Sequence, residues 1–368
     1  MPEIPPPGFF ILEELEARDW TQRDLAYVLG VPEGSVNMLT SGKRGISAEM
    51  AKKLGEAFDV PAEFFANLQR MFDLANAPEP DPAVSKRAKL QSEYPIREMI
   101  KRRWLVSEDT DLLEKELAAF FEVDTVDDIP HMKHAAKKTR YDEINPTQVA
   151  WLFRVRQIAK TVVVPAYSEK KLREALPKLR TMMMAPEECR HVPRVLGECG
   201  VRFVVVEALP GSKIDGVCFW LGDSPVIGMS LRYDRMDNLW FVLRHEIEHV
   251  LSRDGKDAPK IDAELEGENA GTGPAVIDEE RRANSAATTF AIPEEEMASF
   301  IARKDPYFSE RDMLGFAKRM QVDPSIVAGQ IRFRTKRWNL FVSYSGKIRQ
   351  IITQSAVVDG WGNIAPTA

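Results

Sequence analysis

Two histidines and a glutamate within residues 238–251 have the types and the spacing of a metal centre. His245 and His249 are four residues apart, so on a helix both imidazoles lie on one face and can bind a single divalent metal ion. Glu246 lies one step round the helix, where its carboxylate could take a proton from a water activated by the metal. The apolar residues of this stretch predict a buried helix that holds the metal-binding face rigidly. A core helix with two unrelated histidines is the alternative.

A third protein ligand is expected, because catalytic zinc sites usually combine three protein ligands with one open position. The residues from Asp278 to Pro293 predict a second helix that stops near the proline. Glu280 and Asn284 are four residues apart and project together. We therefore predict that Glu280 binds the metal and that Asn284 hydrogen-bonds a ligand histidine. Glu279 is the alternative ligand, and an exposed acidic helix start is the alternative interpretation of both glutamates.

The bulk composition limits the classes of protein to which the chain can belong. Its 368 residues suffice for two or three domains. The net charge of −6 argues against a protein that coats nucleic acid non-specifically, but it is compatible with a local DNA-reading module. The three cysteines, without a Cys-x-x-Cys pair, suit a reducing cytoplasm and provide no zinc ribbon. Because the N-terminus lacks a signal-peptide pattern and no apolar run could cross a membrane, we expect a cytoplasmic protein without a membrane partner.

Residues 1–76 have the pattern of a compact, all-α domain. Thr21, with Asp24 three residues later, predicts the start of a helix that ends at Gly30. A second helix is expected over residues 33–39, and the small and apolar residues of the pair have the spacing of a helix-turn-helix core. In such a unit the second helix enters the major groove of DNA. A helical docking module is the alternative.

The candidate DNA contacts are polar residues on this pair of helices and on the loop that follows it. Ser35 and Asn37 are short polar residues of the second helix and could reach base edges. The residues expected to contact flanking phosphates are Gln22, Arg23, Lys43 and Arg44. We therefore predict operator DNA as a partner of this domain.

Between residues 77 and 197 the composition predicts a linker and then helices. Residues 77–88 are a proline-rich, acidic linker. Residues 89–197 are a mainly helical region whose role as spacer, dimer contact or partner platform stays open. His131 and His134 in that region fit an exposed polar turn better than a metal site, since no further ligand is evident nearby.

Residues 198–368 form the predicted C-terminal domain, which begins with strands before the metal-binding helix. Strands are expected at 201–206, 214–221 and 226–231, and we expect a small antiparallel-type sheet. The last strand is a candidate edge that could pair with an extended peptide, and an ordinary antiparallel strand is the alternative. The predicted fold class is α+β, with an all-α N-terminal domain, a helical middle region and a sheet-containing C-terminal domain.

Residues 5–75 carry several short segments that are typical of one family. These segments are Pro7-Gly8, Leu12-Glu13-Glu14-Leu15, Trp20-Thr21-Gln22-Arg23-Asp24-Leu25-Ala26, Leu29-Gly30-Val31, Gly42-Lys43-Arg44-Gly45-Ile46 and Phe64-Phe65-Ala66-Asn67-Leu68-Gln69. In them the domain resembles HigA-type antitoxins, a branch of the Xre helix-turn-helix family. The resemblance implies a homodimer that represses its own operon and neutralises a HigB-type ribonuclease toxin.

A second set of segments lies between residues 195 and 350. They are Gly200-Val201, Leu209-Pro210-Gly211, Ile214-Asp215-Gly216, Pro225-Val226-Ile227, Leu231-Arg232-Tyr233-Asp234-Arg235, His245-Glu246-x-x-His249 and Glu280-x-x-Ala283-Asn284. With them this region resembles the ImmA/IrrE family of zincin-like metallopeptidases, whose members usually cleave a phage-type or stress-response repressor. The resemblance implies that His245, His249 and Glu280 are ligands and that Glu246 is the general base. Mixed nitrogen and oxygen donors favour Zn²⁺, with Mn²⁺ as the alternative.

Two departures from that family pattern lie on either side of the third ligand. Arg282 stands where the family often has a second glutamate. The stretch from Gly255 to Val276 is a glycine-rich, acidic insertion between the histidine motif and Glu280. We expect this insertion to be a mobile loop that could cover the cleft.

Together these features predict a bacterial or phage regulator. It would be a DNA-binding transcriptional regulator and HigA-like antitoxin that carries a zinc-dependent, peptidase-like domain. Its expected partners are operator DNA and a HigB-like toxin or a repressor protein substrate. One alternative is an active regulatory metalloprotease that cleaves a repressor or partner protein, and another is a toxin-binding module without peptidase activity.

Overall fold

The computed structural model describes residues 4–129, 145–256, 259–263, 265 and 278–365. The chain forms two compact units, Met1–Val84 and Ser85–Ala368. His131 and His134, expected in a polar turn, lie outside the described residues, as does most of the insertion from Gly255 to Val276. Within the described part, none of the helices combines the length and the apolar character that a bilayer span requires.

The first unit is a set of helices around one apolar core. Its helices are α1 (Pro7–Ala17), α2 (Gln22–Leu29), α3 (Glu33–Thr40), α4 (Ala48–Phe58) and α5 (Ala62–Asn76). Thr21 and Asp24 cap α2 with reciprocal hydrogen bonds, and Gly30 ends it in the left-handed conformation with φ 67°. Leu25 of α2 and Val36 of α3 are both fully buried in the core between the helices. The structure therefore contains the predicted helix-turn-helix pair.

The second unit combines helices with one sheet, and α6 leads into it. Its helices are α6 (Pro82–Glu93), α7 (Ile96–Lys101), α8 (Thr110–Phe120), α9 (Pro146–Thr161), α10 (Glu169–Thr181), α11 (Val192–Glu198), α12 (Met236–Ser252), α13 (Asp278–Ala291), α14 (Glu294–Lys304), α15 (Glu310–Met320), α16 (Pro324–Thr335) and α17 (Arg349–Ile352). Short 3₁₀ helices occur at Val126–Asp128, Met182–Met184 and Pro186–His191. The strands are β1 (Arg202–Val206), β2 (Ile214–Leu221), β3 (Ser224–Met229), β4 (Lys260–Ala263) and β5 (Val357–Asp359).

The sheet is mixed, so the expectation of an antiparallel-type sheet is only partly correct. The described strands are ordered β4-β2-β3-β1-β5. A tight turn with Gly222 at φ 60° joins β2 to β3, and β2 pairs antiparallel with both β3 and β4. β1 does not pair with β2, its successor in the chain, but runs parallel to β3 and to β5. Parallel pairing requires a long connection between the paired strands, and β1 is separated from β3 and from β5 by such connections.

Helices cover both faces of the sheet. Side chains alternate between the faces along a strand. In β1, Phe203 and Val205 face one apolar core, which α12 and α16 share. Val204 and Val206 face the other core, which contains residues of α7, α8 and α9. A sheet buried on both faces suits its parallel pairs.

This arrangement revises the predicted segments between the two ends of the chain. The predicted linker, residues 77–88, already includes the start of α6. The helical region 89–197 is not separate from the sheet, because α7–α9 pack on one face while α10 and α11 contribute to the core on the other. The candidate edge strand, 226–231, lies inside the sheet between β1 and β2. The described edges are β4 and β5, and β4 comes from the insertion that was expected to be a loop.

Candidate metal centre

Helix α12 carries the two histidines and the glutamate into the interior of the second unit. Asp237 lies in its first turn, where the helix dipole favours a carboxylate, and Arg253 ends the helix at a φ of 60°. His245, Glu246 and His249 are each 0% exposed. The Nε2 atoms of the two histidines are 3.0 Å apart, so both can contact the same ion.

Helix α13 brings the predicted third ligand to the same place. Its small residues Ala283 and Ala287 are buried, which lets α13 pack closely against α12. Glu280 lies at the start of this helix and is directed towards the two histidines. Glu279, the alternative ligand, instead pairs with Lys260 at 2.7 Å. The structure therefore groups Glu280, and not Glu279, with the histidines.

Strand β4 adds a fourth candidate ligand, Asp262, which the sequence analysis did not identify. Its Oδ2 atom lies 3.4 Å from Nε2 of His245 and 3.9 Å from Nε2 of His249. The Glu280 oxygens lie 3.4 and 3.7 Å from the same two nitrogens. One ligand atom from each of the four residues lies within 4.8 Å of all the others.

The donor set fits a divalent metal such as zinc. Two imidazole nitrogens and two carboxylate oxygens are ordinary zinc donors, with bonds of about 2.0–2.2 Å. Tetrahedral coordination at that bond length would separate the donors by about 3.3–3.6 Å. The observed separations between histidine nitrogens and the other donors run from 3.0 to 3.9 Å. The residues can therefore hold one metal ion where α12, α13 and β4 meet.

The charges around His245 match a cation site. Burial lowers the pKa of His245, but the Asp262 and Glu280 carboxylates outweigh burial and raise the pKa to about 10. Burial raises the pKa of Asp262, but the facing His245 and His249 outweigh it and lower the pKa to about 2. A bound metal ion would replace the proton of His245 and would be stabilised by the same carboxylates, those of Asp262 and Glu280.

Asp254 orients the His249 ring through Nδ1, the nitrogen that is not directed at the other ligands. Its Oδ2 atom lies 3.0 Å from Nδ1 of His249, and the Arg282 guanidinium lies 3.2 Å from the same oxygen. A carboxylate in this position holds the ring so that Nε2 faces the metal. In the described part of the chain, no hydrogen bond joins the Asn284 side chain to either histidine, and its supporting role stays a prediction. Asp254 follows α12 by two residues, and sequence reasoning missed it because no helical spacing links it to His249.

Glu246 lies beside the ligand cluster, and its carboxylate occupies space that is free because β2 has a glycine, Gly216, at this position. Both of its carboxylate oxygens are buried without a hydrogen-bond partner among the described residues. A Cβ on Gly216 would lie 2.1 Å from Oε1 of Glu246, so only glycine leaves room for this carboxylate. Burial raises the pKa of Glu246 well above its ordinary value, and the negative charge of Asp262 adds to the effect. A buried carboxyl without partners and with a raised pKa is suited to hold a proton.

A largely apolar cavity lies one helical turn from His245, and neither histidine lines it. Phe241 lines it, and the ring centroid of Phe241 is 6.5 Å from that of His245. Leu265 and Ala287 also line the cavity, whose volume is about 60 Å³. One water needs only about 10–15 Å³. The cavity is therefore large enough for a small apolar side chain.

The predicted DNA contacts lie on α2, on α3 and on the loop after α3. Ser35 is half-buried and Asn37 is exposed on α3. The candidate phosphate contacts, all exposed or half-buried, are Gln22, Arg23, Lys43 and Arg44. Gly42 turns the chain at φ 70°, and the Arg44 N–H donates to the Met38 carbonyl at 3.0 Å. This bond ties the basic loop to the end of α3.

One family model and three known proteins are similar to parts of this chain. Residues 11–65 match the model described as helix-turn-helix. The chain is 36% identical over 80 residues to virulence-associated protein A' of Dichelobacter nodosus, which covers 22% of this chain and 70% of that protein. It is 39% identical over 69 residues to the uncharacterized HTH-type transcriptional regulator YbaQ of Escherichia coli strain K12, which covers 18% of this chain and 61% of YbaQ. The structure of Pseudomonas aeruginosa antitoxin HigA with the higBA promoter is 34% identical at a TM-score of 0.20, covering 25% of this chain and 95% of that one.

Proposed function

Because the chain belongs to the helix-turn-helix family through its N-terminal domain, we propose that it is a DNA-binding transcriptional regulator with a metal-dependent peptidase in its second unit. The resemblance of residues 5–75 to HigA-type antitoxins extends the proposal to a homodimer that represses its own operon and neutralises a HigB-like toxin. The resemblance of residues 195–350 to the ImmA/IrrE family supports the peptidase. The expected metal is zinc, with manganese as the alternative.

The DNA-binding half of the proposal is supported by the surface of α3 and its loop. Asn37 is exposed on α3, and the exposed Lys43 and Arg44 lie in the loop after this helix. In a helix-turn-helix the second helix contacts base edges while neighbouring cations contact phosphates. Asn37 would therefore contribute to sequence recognition, and the two cations would contribute to affinity.

Replacing the two polar residues of α3 tests this half. The double variant Ser35→Ala, Asn37→Ala should bind operator DNA about 1–3 kcal/mol more weakly, because base contacts are lost. Lys52→Ala changes an exposed residue of α4 and is the control, which should bind as the wild type does. A gel-shift titration with the DNA upstream of the gene measures both. Unchanged affinity in the double variant would remove Ser35 and Asn37 from the interface.

The observation that supports the peptidase is the meeting of His245, His249 and Glu280 beside an unpartnered Glu246. A divalent metal, when bound there, would supply Lewis-acid activation of a water molecule and of a peptide carbonyl. Its positive charge would also lower the pKa of Glu246, so that the carboxylate is ionised in the loaded protein.

The chain's own residues would then carry the proton and position the substrate. Glu246 accepts a proton from the attacking water at its carboxylate and donates it to the leaving amine. The cavity lined by Phe241 and Ala287 accepts a small apolar side chain of the peptide. Burial of His245, Glu246 and His249 limits the access of other water to the reaction.

Glu246→Gln tests the peptidase directly. The amide cannot accept the proton, so cleavage of a quenched-fluorescent peptide library by the zinc-loaded protein should fall by a factor of about 10²–10⁴. Metal content and operator binding should stay at wild-type levels. Glu248→Gln is the matched control, because Glu248 lies on the same helix but pairs with Arg244 at 2.8 Å.

Two further outcomes of this experiment separate the competing functions. If peptide is cleaved neither by the wild type nor by variants that open the metal centre, and repression and toxin neutralisation survive Glu246→Gln, the metal centre is a scaffold in a regulator. If the chain binds a toxin but shifts no operator DNA, the toxin-binding module is the better interpretation.

A further inference from the structure

Strand β4 is a short edge strand that carries a buried carboxylate facing the two histidines. Asp262 lies opposite Gly216 in the antiparallel pairing of β4 with β2. It is 5% exposed, and its Oδ2 atom has no hydrogen-bond partner in the part of the chain that is described. A second buried acid nearby differs, because Asp215 is held by Arg232 at 3.1 Å and by the Leu265 N–H at 2.8 Å. Asp262 is thus a buried oxygen donor that faces two histidines.

The position of this donor decides whether the metal centre is open or closed. Asp262 Oδ2 lies 3.4 and 3.9 Å from the Nε2 atoms of His245 and His249, the same range as the Glu280 oxygens. A peptidase centre has three protein donors and an open position for water, whereas a structural zinc centre is closed by four protein donors. With Asp262 in place, the cluster has the donor number of a closed centre.

We propose that Asp262 is a fourth protein ligand that closes the metal centre, so that the peptidase is latent until β4 moves. This inference rests on the proposed metal-dependent function and concerns the regulation of the same site. Movement of β4 would leave His245, His249 and Glu280 on the metal and would open one position beside Glu246.

The contacts of β4 with the rest of the second unit are few enough that the strand could separate from β2. The strand has four residues and lies at the edge of the sheet, where it pairs with β2 alone among the described strands. Its first residue, Lys260, pairs with Glu279 of α13 at 2.7 Å, and both side chains are partly exposed. Exposed ion pairs contribute little to stability. β4 is therefore held by one ladder of hydrogen bonds with β2, by the packing of Ile261 against the core and by the metal that Asp262 would bind.

The test asks whether Co²⁺ bound to the full chain has an open position. Azide binds to an open position on cobalt and changes its visible absorption. The wild-type protein should bind one Co²⁺ and keep its spectrum when azide is added. Asp262→Ala should also bind one Co²⁺, but its spectrum should change with one azide per cobalt and an affinity for azide at least about tenfold higher.

Two more variants complete the experiment. Asp223→Ala removes a fully exposed carboxylate from the turn between β2 and β3, and it should behave as the wild type does. Asp262→Asn keeps the size of the side chain in case Asp262→Ala unfolds β4. Because an amide is a weaker ligand than a carboxylate, Asp262→Asn should bind azide with an affinity between those of the wild type and Asp262→Ala.

The possible failures are distinguishable. A wild-type protein that binds azide as tightly as Asp262→Ala would overturn the inference and leave the metal centre intact. A wild-type protein that takes up no Co²⁺ would overturn both the inference and the proposed peptidase. Faster peptide cleavage by zinc-loaded Asp262→Ala than by the wild type would support the closed state independently.

Discussion

The two compact units place their candidate functional residues in different ways. In the first unit they all lie between Gln22 and Arg44, on two helices and the loop that follows. In the second unit the candidate ligands come from α12, β4 and α13, and Gly216 of β2 makes room for Glu246. A DNA-reading helix needs only a local scaffold, whereas a metal centre needs several elements to meet at one point. The metal centre should therefore be sensitive to distant changes that the helix-turn-helix tolerates.

The largest effect is expected from Asp359→Ala on strand β5. Asp359 is 3% exposed on β5, where it pairs with the buried Arg154 and accepts a hydrogen bond from Trp104 at 3.1 Å. Its removal leaves a buried guanidinium uncompensated, which typically costs about 3–5 kcal/mol. In a urea titration, the variant should lose Co²⁺ absorption at a clearly lower urea concentration than the wild type does. It should lose operator binding at the same urea concentration as the wild type. A parallel shift of both transitions would contradict the independent response of the two units.

Asp254→Ala should weaken the metal centre without unfolding the second unit. His249 would lose the carboxylate that fixes its ring, and such losses lower metal affinity by about 10–100-fold. Competition with a chromogenic zinc chelator measures the change. Asp223→Ala removes an exposed carboxylate from the same unit and should leave the affinity unchanged. Equal affinities of Asp254→Ala and the wild type would show that the ring needs no such partner.

The pH dependence of metal binding follows from the charges around His245. The pKa of about 10 means that this ring carries a proton at neutral pH, which the metal has to displace. Zinc affinity should therefore rise with pH, by up to about tenfold per unit below pH 10. In the metal-free chain the proton contributes stability that is full below the ordinary pKa of 6.5 and is lost as the pH rises towards 10. Calorimetric titrations in buffers of several pH values should detect about one released proton, and a flat profile would contradict this.

The smallest effect is expected from Thr21→Ala in the first unit. Thr21 accepts a hydrogen bond from the Asp24 N–H at the start of α2, and loss of such a cap costs about 1 kcal/mol. The urea midpoint for operator binding should fall slightly, and the Co²⁺ absorption should not change. Ser41→Ala, in the turn after α3, is the control and should leave both unchanged. A change in metal binding would show that the two units are coupled.

The difference between the units also explains how much could be predicted from the sequence. Thr21 and Gly30 define the ends of α2 through contacts within a few residues, so local patterns sufficed for the helix-turn-helix. The periodicity of α12 and α13 predicted that His245, His249 and Glu280 share one site, and the structure groups these three residues.

Asp262 could not be predicted, because its position depends on pairing across the chain. β4 has four residues within a charged, glycine-rich stretch, and its register is set by β2, with Gly216 opposite Asp262. No local pattern specifies such a partner. The same reason explains the sheet, since consecutive strands favoured an antiparallel arrangement while β1 bypasses β2 to pair with β3.

Metal analysis of the purified full chain shows whether the metal centre exists. We expect one zinc or manganese ion per chain in the wild type and in Glu246→Gln. The double variant His245→Ala, His249→Ala should contain almost none, while it retains operator binding. A wild-type chain without metal after exposure to zinc, or a double variant with the same metal content as the wild type, would contradict a centre built on α12, α13 and β4.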